Sequence, residues 1–73
     1  MLIAIGDPAS VVDVSHLPQV GEKMRLSQLR MRYVTIPDHG TSEVTFTQRK
    51  ETDFLYEGKY IPHFGVTIIP PES

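Results

Sequence analysis

The chain contains no cysteine among its 73 residues, which excludes several classes of site. Disulfide scaffolds, zinc sites built on thiolates and cysteine nucleophiles all need that side chain. Long hydrophobic runs are also missing. The longest apolar run near the start is Leu2-Ile3-Ala4-Ile5, which is far shorter than a signal peptide or a membrane span. We therefore expect a cytoplasmic protein with no membrane partner and no cofactor.

Residues that favour helices are scarce, whereas residues that favour strands are abundant. Alanine occurs twice and leucine five times, while valine, isoleucine, threonine, tyrosine and phenylalanine together supply 25 residues. Such β-branched and aromatic side chains suit a pleated, half-buried sheet. Hydrophobic residues make up 40% of the chain and charged residues 22%, as in globular proteins. The composition predicts a single small all-β domain over residues 1–73, with residues 72–73 frayed.

Alternation of apolar and polar residues with period two locates the strands. The candidate segments are residues 2–5, 11–15, 22–26, 29–36, 43–49, 54–56, 59–61 and 65–69. The alternation changes phase at Ser27-Gln28, which predicts a bulge or a tight turn. Residues 29–36 and 43–49 are predicted to form a hairpin joined by Pro37–Ser42, and Glu57-Gly58 to form a tight hairpin turn with Gly58 in the left-handed region. We expect a small SH3-like or OB-like barrel or sandwich of about six short antiparallel strands.

One segment resembles a known kind of domain. Val14-Ser15-His16-Leu17-Pro18-Gln19-Val20-Gly21-Glu22, followed by alternating Met24 and Leu26, is similar to the turn that opens SH3-like small barrels. The resemblance covers about a dozen residues of generic turn chemistry. It implies a fold class, and it names no family and no function.

Charge is segregated along the chain although the net charge is only −2. Residues 1–22 carry −3, residues 23–50 carry +4 and residues 51–73 carry −3. One hypothesis is an anion-binding face, with Arg25, Arg30 and Arg32 on adjacent strands and tyrosines for stacking. The other is that these cations are ordinary outward residues, neutralised by the acidic flanks. We favour the second. The candidate binding residues are Arg25, Arg30, Arg32, Arg49, Lys50, Tyr33, Tyr56 and Tyr60.

No motif indicates catalysis or a metal site. The three histidines are His16, His39 and His63, and their separation along the chain places no two of them within one strand step. Ser15 and His16 are neighbours, and neighbours on a strand point to opposite faces, so we expect no nucleophile–base pair. The sequence therefore predicts no catalytic residue, no metal ligand and no enzyme.

Apolar residues concentrate in the last part of the chain. Residues 65–69 carry apolar side chains at positions of both parities, so both faces of the last strand would be apolar. One explanation is a second copy that covers one face and makes a dimer or higher oligomer. The other is a central barrel strand capped by the N-terminal segment. The candidate self-association residues are Phe64, Val66, Ile68 and Ile69.

These observations favour a small non-enzymatic binding protein that acts by stoichiometric occupancy. Its partner would be another protein, which it inhibits or sequesters, or a small anionic ligand. Short cysteine-free β domains of this size resemble accessory proteins of phages and mobile elements. The alternative is a β-barrel that binds single-stranded nucleic acid through its arginines and tyrosines.

Overall fold

The computed structural model describes residues 1–33, 35 and 43–69, and the predicted loop Pro37–Ser42 lies outside them. The strands are β1 (Leu2–Ile5), β2 (Ser10–Asp13), β3 (Lys23–Arg25), β4 (Arg30–Tyr33), β5 (Glu43–Arg49), β6 (Phe54–Tyr56), β7 (Lys59–Ile61) and β8 (His63–Ile69). One turn of 3-10 helix, Leu26–Gln28, joins β3 to β4. Within the described ranges, no helix is long and apolar enough to cross a membrane.

Six strands form one curled sheet, and the other two form a separate hairpin. The sheet order is β3-β5-β8-β1-β2-β4, and β6 pairs with β7. The curled sheet is a half-barrel, which confirms the predicted small all-β, barrel-like fold. One pair departs from the antiparallel expectation, because β1 and β8 run parallel, with Ala4 opposite His63. These two strands are far apart in sequence, so no tight turn forces them to run in opposite directions.

The connection between the two edge strands explains why the sheet curls. A flat sheet of six strands would hold its edges about 24 Å apart, because neighbouring strands are spaced by about 4.8 Å. The chain from Arg25 to Arg30 spans at most about 17 Å, even when fully extended. Since β3 and β4 are the opposite edges, this short link is compatible only with a curled sheet. The turn predicted at Ser27-Gln28 is therefore confirmed, and it joins the two edges.

The predicted hairpin between residues 29–36 and 43–49 is wrong. Strand β4 pairs with β2, whereas β5 lies between β3 and β8. Strand β5 carries Val44 and Phe46, both fully buried, and a strand with buried side chains is best placed inside a sheet with neighbours on both sides. Period two identified both strands correctly, but it carries no information about which strands pair.

The core has two parts, on opposite faces of β1 and β2. Ile3 and Val12 are opposite each other and belong to the larger cluster, with Phe46 and Phe64 in edge-to-face contact at 5.6 Å between ring centroids. Ala4 and Val11 are likewise opposite each other and belong to the smaller cluster. That cluster is completed by Ala9 and Ile61, with Leu2, Phe54 and Tyr56 packed against it. Hairpin β6–β7 thus covers the second face of β1 and β2.

Candidate functional site

The arginines predicted to bind anions do not lie on adjacent strands. Arg25 is on edge strand β3, while Arg30 and Arg32 are on the opposite edge strand, β4. The prediction of adjacent strands failed because the turn Leu26–Gln28 joins the two opposite edges of the sheet and does not close a hairpin between β3 and β4. Arg49 ends β5, and its guanidinium lies 5.9 Å from the centre of the Phe64 ring. Lys50 follows it and donates its backbone N–H to the His63 carbonyl at 2.8 Å.

One of these cations has an acidic partner from the N-terminal segment. The Arg32 guanidinium lies 3.6 Å from an oxygen of Asp13, and Asp13 belongs to the acidic residues 1–22. Elsewhere, the Lys23 ammonium lies 4.0 Å from Glu43, within residues 23–50. Exposed pairs of this kind contribute little free energy. They nevertheless reduce the net positive potential that a phosphate backbone would meet.

The three candidate tyrosines are in different environments. Tyr33 is exposed on β4, next to Arg32 in sequence. Tyr56 is half-buried, because it packs against the smaller core cluster. Tyr60 is 72% exposed on β7. The structure therefore does not gather these tyrosines and the arginines into one stacking surface.

The outer face of hairpin β6–β7 carries an exposed apolar pair. Leu55 and Tyr60 are directly opposite each other and are 56% and 72% exposed. Side chains opposite each other on antiparallel strands lie about 5 Å apart at Cβ, so these two form one continuous patch. The neighbouring residues Phe54 and Tyr56 point the other way and pack on the core. The hairpin is thus fixed on one face and open on the other.

Two carboxylates border this apolar pair. Asp53 comes directly before β6 and Glu57 directly after it, in the turn to β7, so the two acidic residues flank the strand that carries Leu55. Both are exposed. Lys59 lies opposite Tyr56, so its side chain belongs to the other face. We call Asp53, Leu55, Glu57 and Tyr60 the acidic-apolar face.

Ser15 and His16 are in contact, contrary to the sequence prediction. Ser15 Oγ lies 3.2 Å from His16 Nδ1, and His16 Nε2 lies 2.7 Å from a carboxylate oxygen of Glu22. The prediction assumed a strand, but β2 ends at Asp13 and these residues lie in the connection to β3. The Gln19 N–H donates to the other Glu22 oxygen at 3.1 Å. This hydrogen bond, with that from His16, lowers the pKa of Glu22 below its ordinary value.

A cleft of about 260 Å³ opens beside these contacts. Its lining residues are Val14, Ser15, His16, Glu22, Lys23, Met24, Gln28 and Leu29. Clefts that bury small ligands are usually larger, at about 300–1,000 Å³. The carboxylate of Glu22 is already occupied by Gln19 and His16. We assign these contacts to holding the connection between β2 and β3.

The residues predicted for self-association are mostly covered by the chain itself. Phe64 is 1% exposed and belongs to the larger core cluster. Val66 and Ile68 are partly buried and pack against the same cluster. Ile69 is 49% exposed. Strand β8 pairs with β5 along residues 64–69 and with β1 at His63 and Phe64. Phe64 therefore offers no surface to a partner of this folded chain.

Comparisons with known proteins do not assign a function. No family model, curated protein or solved structure matches the chain. Within residues 1–33, 35 and 43–69, no three histidine, aspartate or glutamate side chains come together as metal ligands. His39 lies outside those residues. The site must therefore be argued from the geometry of this chain.

Sequence analysis found Tyr60 but missed the other members of the acidic-apolar face. The signal was present in Asp53-Phe54-Leu55-Tyr56-Glu57. Within β6, period two separates Phe54 and Tyr56 from Leu55, and so distinguishes a core face from an outer face. All apolar residues of this segment were treated as one group in the sequence analysis, and so the core face was not distinguished from the outer face.

Proposed function

We propose that the protein is a non-enzymatic binding module that occupies a protein partner in a stoichiometric complex in the cytoplasm. The partner would bind the acidic-apolar face. The observation that carries this proposal is the Leu55–Tyr60 pair, two large side chains directly opposite each other and mostly exposed. Inhibition or sequestration of the partner would follow from occupancy alone. Such a mode of action would suit an accessory protein of a phage or mobile element.

The packing of the hairpin supports a binding role for its outer face. Scattered exposed apolar residues are ordinary on protein surfaces. Here, however, the apolar pair sits on a hairpin whose inner face is anchored by Phe54, Tyr56 and Ile61. The hairpin is therefore already ordered in the free protein, and this lowers the entropic cost of binding a partner. Tyrosine in particular is enriched where interfaces concentrate their binding energy.

The charge of the face restricts the class of partner. Asp53 and Glu57 would attract a partner that presents lysine or arginine around an apolar side chain. The same carboxylates would repel a phosphate backbone or a small anionic ligand from Tyr60. We therefore place the protein-binding role on this face, and not recognition of an anion.

The second candidate function is binding of single-stranded nucleic acid along edge strand β4. Its support is the exposure of Arg30, Arg32 and Tyr33 on one short strand. Its weakness is the contact between Arg32 and Asp13. The two candidates use different residues, so one set of variants separates them.

Native mass spectrometry of the full chain, purified from cells without a nuclease step, tests the proposal. We expect a fixed-stoichiometry complex with a protein, and its loss in the double variant Leu55→Ser/Tyr60→Ser. The matched control is Leu17→Ser/Val20→Ser, since both residues are exposed apolar residues elsewhere on the chain. Equal complex formation by both double variants would refute the acidic-apolar face. Heterogeneous nucleotide adducts that disappear in Arg30→Ala/Arg32→Ala would favour the second candidate.

A further inference from the structure

The turn of the outer hairpin determines which backbone groups of β6 are free. Glu57 and Gly58 have φ angles of 50° and 78°, as in a type I′ turn of two residues. In such a hairpin the flanking residues, Tyr56 and Lys59, exchange backbone hydrogen bonds. Because hydrogen-bonded and non-bonded pairs alternate, the next pair, Leu55 and Tyr60, exchanges none. The N–H and C=O of Leu55 therefore point away from β7.

The two edges of the hairpin differ. The β7 edge faces the body of the protein, where the Ala4 N–H donates to the Pro62 carbonyl at 2.8 Å. Strand β6 has β7 as its strand neighbour, and no other strand among residues 1–33, 35 and 43–69 pairs with it. The outward edge of β6 thus offers one donor and one acceptor, both on Leu55. The same residue carries the exposed apolar side chain.

We infer that the partner binds by adding an antiparallel strand beside β6, with a sequence that alternates basic, any, apolar, any, basic. This inference rests on the proposed function and specifies how the acidic-apolar face is used. An antiparallel strand satisfies both free groups of Leu55 with a single residue, whereas a parallel strand needs two. The apolar residue of the partner lies opposite Leu55, and its side chain falls on the outer face.

The spacing of the carboxylates gives the positions of the basic residues. Asp53 and Glu57 lie two positions on either side of Leu55, just before and just after β6, so basic partner residues two positions from the apolar one would lie nearest to them. Added strands lie about 4.8 Å away, within reach of lysine and arginine side chains. Strand addition to an exposed edge is a common mode of peptide recognition, with backbone bonds giving affinity and alternate side chains giving specificity.

Charged residues also protect edge strands from pairing with other chains. If that were the whole role of Asp53 and Glu57, no peptide would add to β6. The experiment must therefore separate strand addition from side-chain docking and from protection of the edge.

The test is a titration of the full ¹⁵N-labelled chain with a synthetic peptide, Thr-Lys-Thr-Leu-Thr-Lys-Thr, at low ionic strength. We expect saturable amide shifts centred on Leu55. We also expect binding at least about fivefold weaker when the peptide leucine is N-methylated, because that change removes a backbone donor and keeps the side chains. A peptide of the same composition with adjacent lysines should bind weakly too. No shifts at millimolar peptide, or equal binding of all three peptides, would overturn the inference.

Variants of the chain test the charge pattern and keep the two proposals distinguishable. Asp53→Asn should weaken binding of the alternating peptide by about threefold to fivefold, with a smaller effect at high salt. Asp7→Asn, an exposed aspartate elsewhere on the chain, should not. If the peptides fail but Leu55→Ser/Tyr60→Ser still abolishes the native complex, strand addition is wrong and the face stands. If that double variant keeps the complex, the proposed function itself fails.

Discussion

At the scale of single residues, Gly65 is a position where a residue on another strand limits the size of the side chain that fits. It lies on β8 opposite Gln48, at an irregularity in the pairing with β5. A Cβ on Gly65 would lie 2.8 Å from Cγ and 3.2 Å from Nε2 of Gln48. The first of these is closer than non-bonded carbon atoms approach. The need for glycine at this position comes from Gln48, and nothing within β8 itself indicates it.

We predict that Gly65→Ala lowers the free energy of unfolding by about 0.5–1 kcal/mol, because the side chain of Gln48 must turn away from the new Cβ. The exposed residue Gln48 should tolerate alanine alone with little change. In the Gln48→Ala background, Gly65→Ala should be neutral or slightly stabilising, because alanine costs less entropy than glycine in a strand. Urea unfolding of the four proteins measures this coupling. Additive effects of the two substitutions would contradict the contact.

At the scale of elements, local patterns were predicted well and long-range pairings were not. The hairpin of β6 and β7 was predicted from Glu57-Gly58, and the positive φ of Gly58 confirms its left-handed conformation. That information lies within a few residues of sequence. The pairing of β4 with β2 and of β5 with β8 depends instead on which buried faces meet in the core, which alternation within one strand does not encode.

The candidate site was predicted only in part for a related reason. Tyr60 was identified from its residue type, whereas Leu55 was grouped with core residues such as Phe54. Burial of Phe54 depends on contact with the smaller core cluster, which includes Ala4 and Val11, and neither residue is near it in sequence. The sequence thus contains the alternation but does not show which of its two faces is covered.

The turn between β6 and β7 allows a prediction in which one substitution raises folding stability and weakens binding. Glu57 adopts a φ of 50°, which asparagine tolerates better than glutamate in a type I′ turn. We expect Glu57→Asn to raise the free energy of unfolding by about 0.5–1 kcal/mol and to weaken binding of the alternating basic peptide. Gly58→Ala should lower stability by about 1 kcal/mol, because its φ is 78°. Thermal unfolding and the peptide titration measure the two effects separately. A gain in stability without loss of binding would remove Glu57 from the acidic-apolar face.

At the scale of the whole molecule, carboxylates tie together segments that are distant in the sequence. The Met1 ammonium lies 2.9 Å from one oxygen of Asp13, and Arg32 lies 3.6 Å from the other. Asp13 therefore connects the start of β1, the end of β2 and the edge strand β4. The hydrogen bond from the N-terminal ammonium is the main cause that lowers the pKa of Asp13 below 3.8, and Arg32 adds to it.

A lowered carboxyl pKa makes folding stability depend on pH in one direction. The unfolded chain binds a proton at Asp13 more readily than the folded chain does, so this contribution is complete above the ordinary pKa and is lost as pH falls through the folded value. The same holds for Glu22, whose ordinary value is 4.5. We expect the urea concentration at the unfolding midpoint to decrease when the pH is lowered below about 4.5. The decrease should be smaller in the double variant Asp13→Asn/Glu22→Gln than in the wild-type chain. Asp7→Asn is the control. An unchanged pH profile in the double variant would show that these contacts do not persist in solution.

Self-association through β8 was predicted from the sequence, and the burial of this strand within the chain argues against it. A stable interface buries about 800 Å² on each partner. Of the four residues proposed for it, Phe64 lies in the core of the same chain, Val66 and Ile68 are partly buried against that core, and Ile69 is about half exposed. Strand β5 occupies one edge of β8 along residues 64–69, whereas β1 covers the other edge only at His63 and Phe64. We therefore expect sedimentation velocity to give the same mass for the wild-type chain and for Ile69→Lys. An oligomer that Ile69→Lys dissociates, and that Leu55→Ser/Tyr60→Ser leaves intact, would show instead that the exposed side of β8 is the contact between copies.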